Sequence, residues 1–192
     1  MLPQYGKDRG GNATRVYEAT GEIYEDTRRI STIVKNAARY YSADLDSIRK
    51  SYGEKLGCTH NVPLPLGMGM VLVPFKMRKP HTRKDGATGY VNLCAVEDII
   101  AAEPEEKEEG IRCHLLLKSG LRVPSFCSVK NTADRLRKGR LARERYYFLN
   151  VSGRENSFKP GTDRSESNKL NRINFRKGLL FRLIPDEDLL EE

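Results

Sequence analysis

Between Val62 and Phe126 the chain falls into short apolar runs, each bounded by Pro or Gly. Runs this short, punctuated this often, cannot be long helices; they are strands joined by turns. Pro63, Pro65 and Pro74 bracket Gly69-Met70-Val71-Leu72-Val73. Pro has no N–H to give a strand ladder, so that run reads as a strand entered and left through extended Pro segments. Gly89 to Ile100 is a second candidate, covering at least Tyr90 to Val96. Ile111 to Leu117 is a third, and Lys118-Ser119-Gly120 turns it into Leu121 to Phe126. Gly120 suits the positive φ of a tight turn. Pro124 favours an edge position or an early strand end.

Helices flank these runs. Ile30, Ile33, Val34, Ala37 and Tyr41 recur at helical spacing, with Ser31 available as a cap. A shorter helix is expected from Leu45 to Tyr52, capped by Asp44 and stopped at Gly53. Ser128 can cap a third, from Val129 to about Phe148, with Val129, Ala133 and Leu136 as its apolar stripe and Gly139 as a weak point. The fold class expected is α+β: an antiparallel sheet of about four to six strands with an N-terminal helix pair and a later basic helix. Residues 1–15 read as disordered and 16–149 as one domain. Residues 150–192 read as a polar linker, a C-terminal strand at Gly178 to Ile184 and an acidic tail.

Charge points to a partner. Lys76, Arg78, Lys79, Arg83 and Lys84 form one cluster, in a loop between two strands. Arg135, Arg137, Lys138, Arg140, Arg143 and Arg145 form another, along the late helix. Together they hold eleven of the 34 Lys and Arg residues in a chain of net charge +8. Like charges this close repel unless a polyanion neutralises them, and nucleic acid releases counterions when it does so. The plain alternative is a pair of solvated faces that keep the chain dispersed. A basic helix fits phosphate contact, and a basic hairpin loop fits a groove. The Glu-rich stretch 103–109 reads as a solvated connection.

Enzymatic motifs are missing. There is no Gly-x-Ser-x-Gly elbow and no complete phosphate loop; Gly67-Met68-Gly69 is only a fragment of one. Cys58, Cys94, Cys113 and Cys127 form no Cys-x-x-Cys pair, and Cys58-Thr59-His60 and Cys113-His114 match no zinc spacing. No catalytic residue, metal ligand or cofactor is therefore assigned. His81 in the basic loop leaves a small nuclease as an alternative, beside RNA binding and an acidic protein partner. No stretch is apolar enough to span a bilayer and no signal-peptide core stands at the N-terminus, so no membrane partner and a cytoplasmic location are expected.

From about Ile30 to Arg145 the order of these features resembles the ComK competence transcription factors. The residues that carry the resemblance are Tyr41-Ser42, Arg49, Gly57, Val62-Pro63-Leu64, Leu72-Val73-Pro74 and Lys79-Pro80, then Tyr90 to Leu93, Leu115 to Gly120 and Ser128 to Arg145. The family usually has aromatic-Gly-Ser where this chain has Tyr41-Ser42-Ala43. It usually has a strand Trp where this chain has Tyr90 or Val91. The resemblance implies a nucleoid-associated transcriptional activator that binds A/T-rich minor grooves as a homo-oligomer, with room for a protein regulator. On that reading Arg78, Lys79, Arg83 and Lys84 enter the groove, with Lys76 beside them. Arg135, Arg137, Lys138, Arg140 and Arg143 hold phosphates.

Overall fold

In the computed structural model, residues 1–5, 12–80 and 86–152 are described. His81, Arg83, Lys84 and the expected C-terminal strand and tail lie outside them. The architecture is α+β, as expected, but the strands form three antiparallel sheets of three strands each, not one sheet.

The first sheet is β1 (Leu2–Tyr5), β2 (Asn12–Tyr17) and β3 (Ile23–Asp26), in that order. Residues 2–5 and 12–15 are therefore not disordered. Leu2 and Ala13 are buried, and the backbone of Met1 exchanges both hydrogen bonds with Tyr90 (2.8 and 2.9 Å). The polar composition of this stretch hid a strand that is stabilised from outside.

The central sheet is β4 (Leu64–Gly67), β5 (Met70–Lys76) and β6 (Thr88–Asn92). Val71, Leu72, Val73, Pro74 and Phe75 are all buried, so β5 is covered on both faces. Val71, Val73 and Phe75 belong to one apolar cluster and Leu72 to another, as the alternation of a strand requires. Pro65 and Pro74 sit inside strands rather than outside them. Pro65 is tolerated because β4 is an edge. Pro74 is opposite Tyr90, whose N–H and C=O both turn to Met1, so the Pro74 backbone points away from β6 and loses no ladder bond.

The expected strand from Gly89 to Ile100 breaks. A 3-10 turn at Leu93–Ala95, capped by the Asn92 side chain, ends β6 and starts β7 (Val96–Ala101) in the third sheet. There β7 pairs with β8 (Cys113–Leu117), which pairs with β9 (Arg122–Ser125). Gly120 has φ 80° in the β8–β9 turn, and Pro124 is on the edge strand, both as read from the sequence. The acidic connection forms the short helix α3 (Pro104–Glu108), with Glu103 and Glu106 making a capping box.

Helix α1 (Ile30–Tyr40) buries Ile33, Val34 and Ala38, the last two against Leu64, Leu66 and Leu72. Its N-cap is Arg29, not Ser31, and no side chain caps it. It ends in a Schellman arrangement: Ala43 N–H bonds Ala38 C=O and Ser42 N–H bonds Arg39 C=O, with Ser42 at φ 52°. Helix α2 (Leu45–Leu56) is capped by Asp44, which accepts from the N–H groups of Asp46 and Ser47. It runs through Gly53 and stops at Gly57, whose φ is 60°. Helix α4 (Val129–Tyr147) is capped by Ser128. Its buried face is Thr132, Leu136, Gly139 and Ala142, while Val129 and Ala133 are exposed. Gly139 is no weak point: a Cβ there would stand 2.7 Å from Val73 Cγ2, so glycine sets how closely α4 lies on β5.

Candidate nucleic-acid interface

Two hydrogen bonds tie the strand that leads into the first basic stretch to the segment and helix that carry the second. Phe126 N–H donates to Lys76 C=O at 2.8 Å. The stem of the β5–β6 connection is thereby tied to the segment that leads into α4. A second tie comes nine residues on, inside α4, where Arg135 Nη1 donates to Pro74 C=O at 2.8 Å. Strand β4 pairs with β5 only as far as Leu72, so the Pro74 carbonyl has no strand partner on that side. The guanidinium takes the place of one.

These positions sort the expected contacts. Lys76 and Lys79 are exposed at the loop stem. Arg78 is not: it is 9% exposed, and its Nε donates to Gly86 C=O at 2.7 Å across the loop. Arg78 is thus engaged within its own loop and is not one of the solvent-facing cations. Arg135 is likewise half-buried and committed to Pro74. Arg137 and Arg140 are exposed on α4, Lys138 and Arg143 half-buried. Arg143 turns toward the 3-10 turn, its Nη1 3.9 Å from Cys94 Sγ.

One acid is paired with two of these cations. Asp134 accepts from Arg137 (2.8 Å) and is paired with Lys138 (3.2 Å). The hydrogen bond from Arg137, then that from Lys138, holds its carboxyl below the usual carboxylate range. Both pairs are on the surface, so a phosphate can displace the carboxylate at small cost.

The other candidate chemistries are spread apart. Cys113 is buried, its Sγ 3.3 Å from Cys127 C=O and from Thr132 Oγ1, and burial pushes its thiol up. His114, on the opposite face of β8, has Nε2 2.9 Å from Glu106 Oε1. Among the described residues no group of three or more His, Cys, Asp or Glu is placed to hold a metal ion. No described helix is long and apolar enough to cross a membrane.

Sequence reasoning did not single out Lys118, Glu97 and Asp98, which with Arg140 and Arg143 line a cleft of about 300 Å³ beside α4. No local pattern could have found them, because the cleft is assembled from three separate segments. Searches of protein-family models, curated proteins and solved structures found no match for this chain.

Proposed function

We propose that the protein is a non-enzymatic, double-stranded DNA-binding regulator of transcription, as its ComK-like features imply. The observation that carries the reading is the junction of Lys76 with Phe126, which puts the basic loop stem beside the start of the basic helix. Lys76, Lys79, Arg137 and Arg140 are the exposed cations of this surface. Arg83 and Lys84 belong to the same loop by sequence and are its groove-entering candidates. Arg78 and Arg135 serve as internal struts, shaping the loop and seating the helix. A narrow A/T-rich minor groove is strongly negative and attracts inserted Arg and Lys, so the loop favours that target. The φ of 52° at Ser42 adds support, since the family usually places Gly at this position and a left-handed turn favours one.

Fluorescence-anisotropy titration with A/T-rich duplex, G/C-rich duplex and single-stranded RNA, each at two salt concentrations, tests the proposal. Salt-dependent binding that favours A/T-rich duplex is expected. Changing Arg137 and Arg140 to Ala weakens both duplexes equally and lowers the salt slope by about 0.9 per lost phosphate contact. Changing Arg83 and Lys84 to Ala lowers the A/T preference. A preference for RNA, or cleavage of the duplex that is lost in His81→Ala, replaces this reading with the RNA-binding or nuclease one. Light scattering of the complex checks the homo-oligomer that the resemblance implies.

A further inference from the structure

A β-bulge turns two consecutive acids toward three cations, and among the described residues none of the five is ion-paired, although Asp98 Oδ1 accepts from Ile99 N–H at 2.7 Å. The register of β7 against β8 shifts between Val96, opposite Leu117, and Asp98, opposite Leu116, so Glu97 is an extra residue. Neighbouring strand residues ordinarily point to opposite faces; the bulge breaks that rule, and Glu97 and Asp98 both line the cleft beside α4. Across it stand Arg140 and Arg143, three residues apart on α4, and Lys118, whose backbone N–H is held by Ala95 C=O at 2.9 Å. The ion pairs among the described residues involve Asp26, Asp46, Glu106 and Asp134 and use none of these five charges. Beneath them the lining is aliphatic: Leu93 and Leu136, both buried, with Val96 and Ile99.

We propose that this cleft binds a short acidic peptide with a free amino terminus, of two or three residues. Three cations against two acids complement a ligand with two carboxylates and one ammonium. Arg140, Arg143 and Lys118 take the carboxylates through charge-assisted hydrogen bonds, and Glu97 and Asp98 take the ammonium. The aliphatic lining takes one apolar side chain. A cleft of about 300 Å³ is at the small end of ligand pockets, which limits the length. A simple anion would leave Glu97 and Asp98 facing like charge, so the acids argue against phosphate or a mononucleotide. The cleft shares Arg140 with the proposed duplex surface but none of the loop residues, so the Glu97 and Arg143 variants test it separately from the duplex reading.

Isothermal titration of the full chain with the dipeptide Leu-Glu tests it. Saturable one-to-one binding at millimolar peptide or below is expected. N-acetyl-Leu-Glu, which lacks the ammonium, and Leu-Gln amide, which lacks the carboxylates, should each bind about tenfold or more weakly. Glu97→Gln should weaken Leu-Glu but bind N-acetyl-Leu-Glu as well as or better than the parent chain does, which ties that carboxylate to that ammonium. Arg143→Gln should weaken Leu-Glu and N-acetyl-Leu-Glu alike. Should Arg143→Gln disturb folding, the exposed Glu97→Gln variant still decides the matter. No saturable heat, equal binding of the acetylated peptide, or tighter binding of AMP or inorganic phosphate overturns the proposal.

Discussion

Replacing Gly139 by Ala sets two known effects against each other. In an exposed helix the change stabilises by about 1 kcal/mol, because glycine has more backbone freedom to lose. Here the new methyl stands 2.7 Å from Val73 Cγ2, well inside van der Waals contact, with Leu93 Cδ1 at 3.5 Å behind it. Val73 has no solvent-exposed surface and sits in the strand under α4, so neither its stiff side chain nor the backbone has room to yield. Overpacking of this kind costs about 2 kcal/mol, leaving a net loss of roughly 1 kcal/mol. For a domain of this size that lowers Tm by about 2–4 °C. Thermal unfolding followed by circular dichroism measures it. The sign should reverse in a Val73→Ala background, where the space is open and Gly139→Ala should recover about 1 kcal/mol of helix preference. A rise in Tm for Gly139→Ala in the unaltered chain would refute the close approach of α4 to β5.

Ser42→Gly should raise Tm, because a side chain at φ 52° costs about 1–2 kcal/mol that glycine avoids, less the entropy glycine brings. Asp26 accepts from Arg28 Nε (3.0 Å to Oδ1) and Nη2 (2.7 Å to Oδ2), and these bonds hold its carboxyl below the usual carboxylate range. A depressed value stabilises the fold at neutral pH, and the contribution disappears as pH falls through the folded value, below about 4. The Tm gap between the parent chain and Asp26→Asn should therefore close on acidification; a gap unchanged at pH 3 would contradict the pairing. Arg78→Ala should lower stability by about 1–3 kcal/mol in denaturant titration, as a strut would and a solvated DNA contact would not. Arg135→Met should do the same, by leaving the Pro74 carbonyl without its donor.

Features set by a few neighbouring residues were legible in the sequence. Asp44 and Ser128 cap their helices because a short side-chain acceptor needs only the next turn of backbone. Gly120 turns β8 into β9 because the positive φ is a local demand. Ile33 and Val34 face the core because helical spacing puts them on one stripe. The clustering of charge was legible too, since it is composition in a window.

Long-range contact decided the rest. Residues 2–5 and 12–15 look polar alone and become strands through partners, including Tyr90 far along the chain. Gly139 reads as a helix defect until β5 lies against it. Arg78 and Arg135 read as free cations until the carbonyls of Gly86 and Pro74 claim them. Nothing in the sequence distinguishes Arg135 from Arg137, two residues on, yet one is a strut and the other faces solvent. By itself the sequence determined the α+β class, the Asp44 and Ser128 caps, the Gly120 turn and where the positive charge is dense, because each depends on spacing or composition within a few residues. Only the tertiary structure decided which cations are spent inside the fold and which remain for a partner, because burial and hydrogen bonding are properties of contacts that the linear order does not contain.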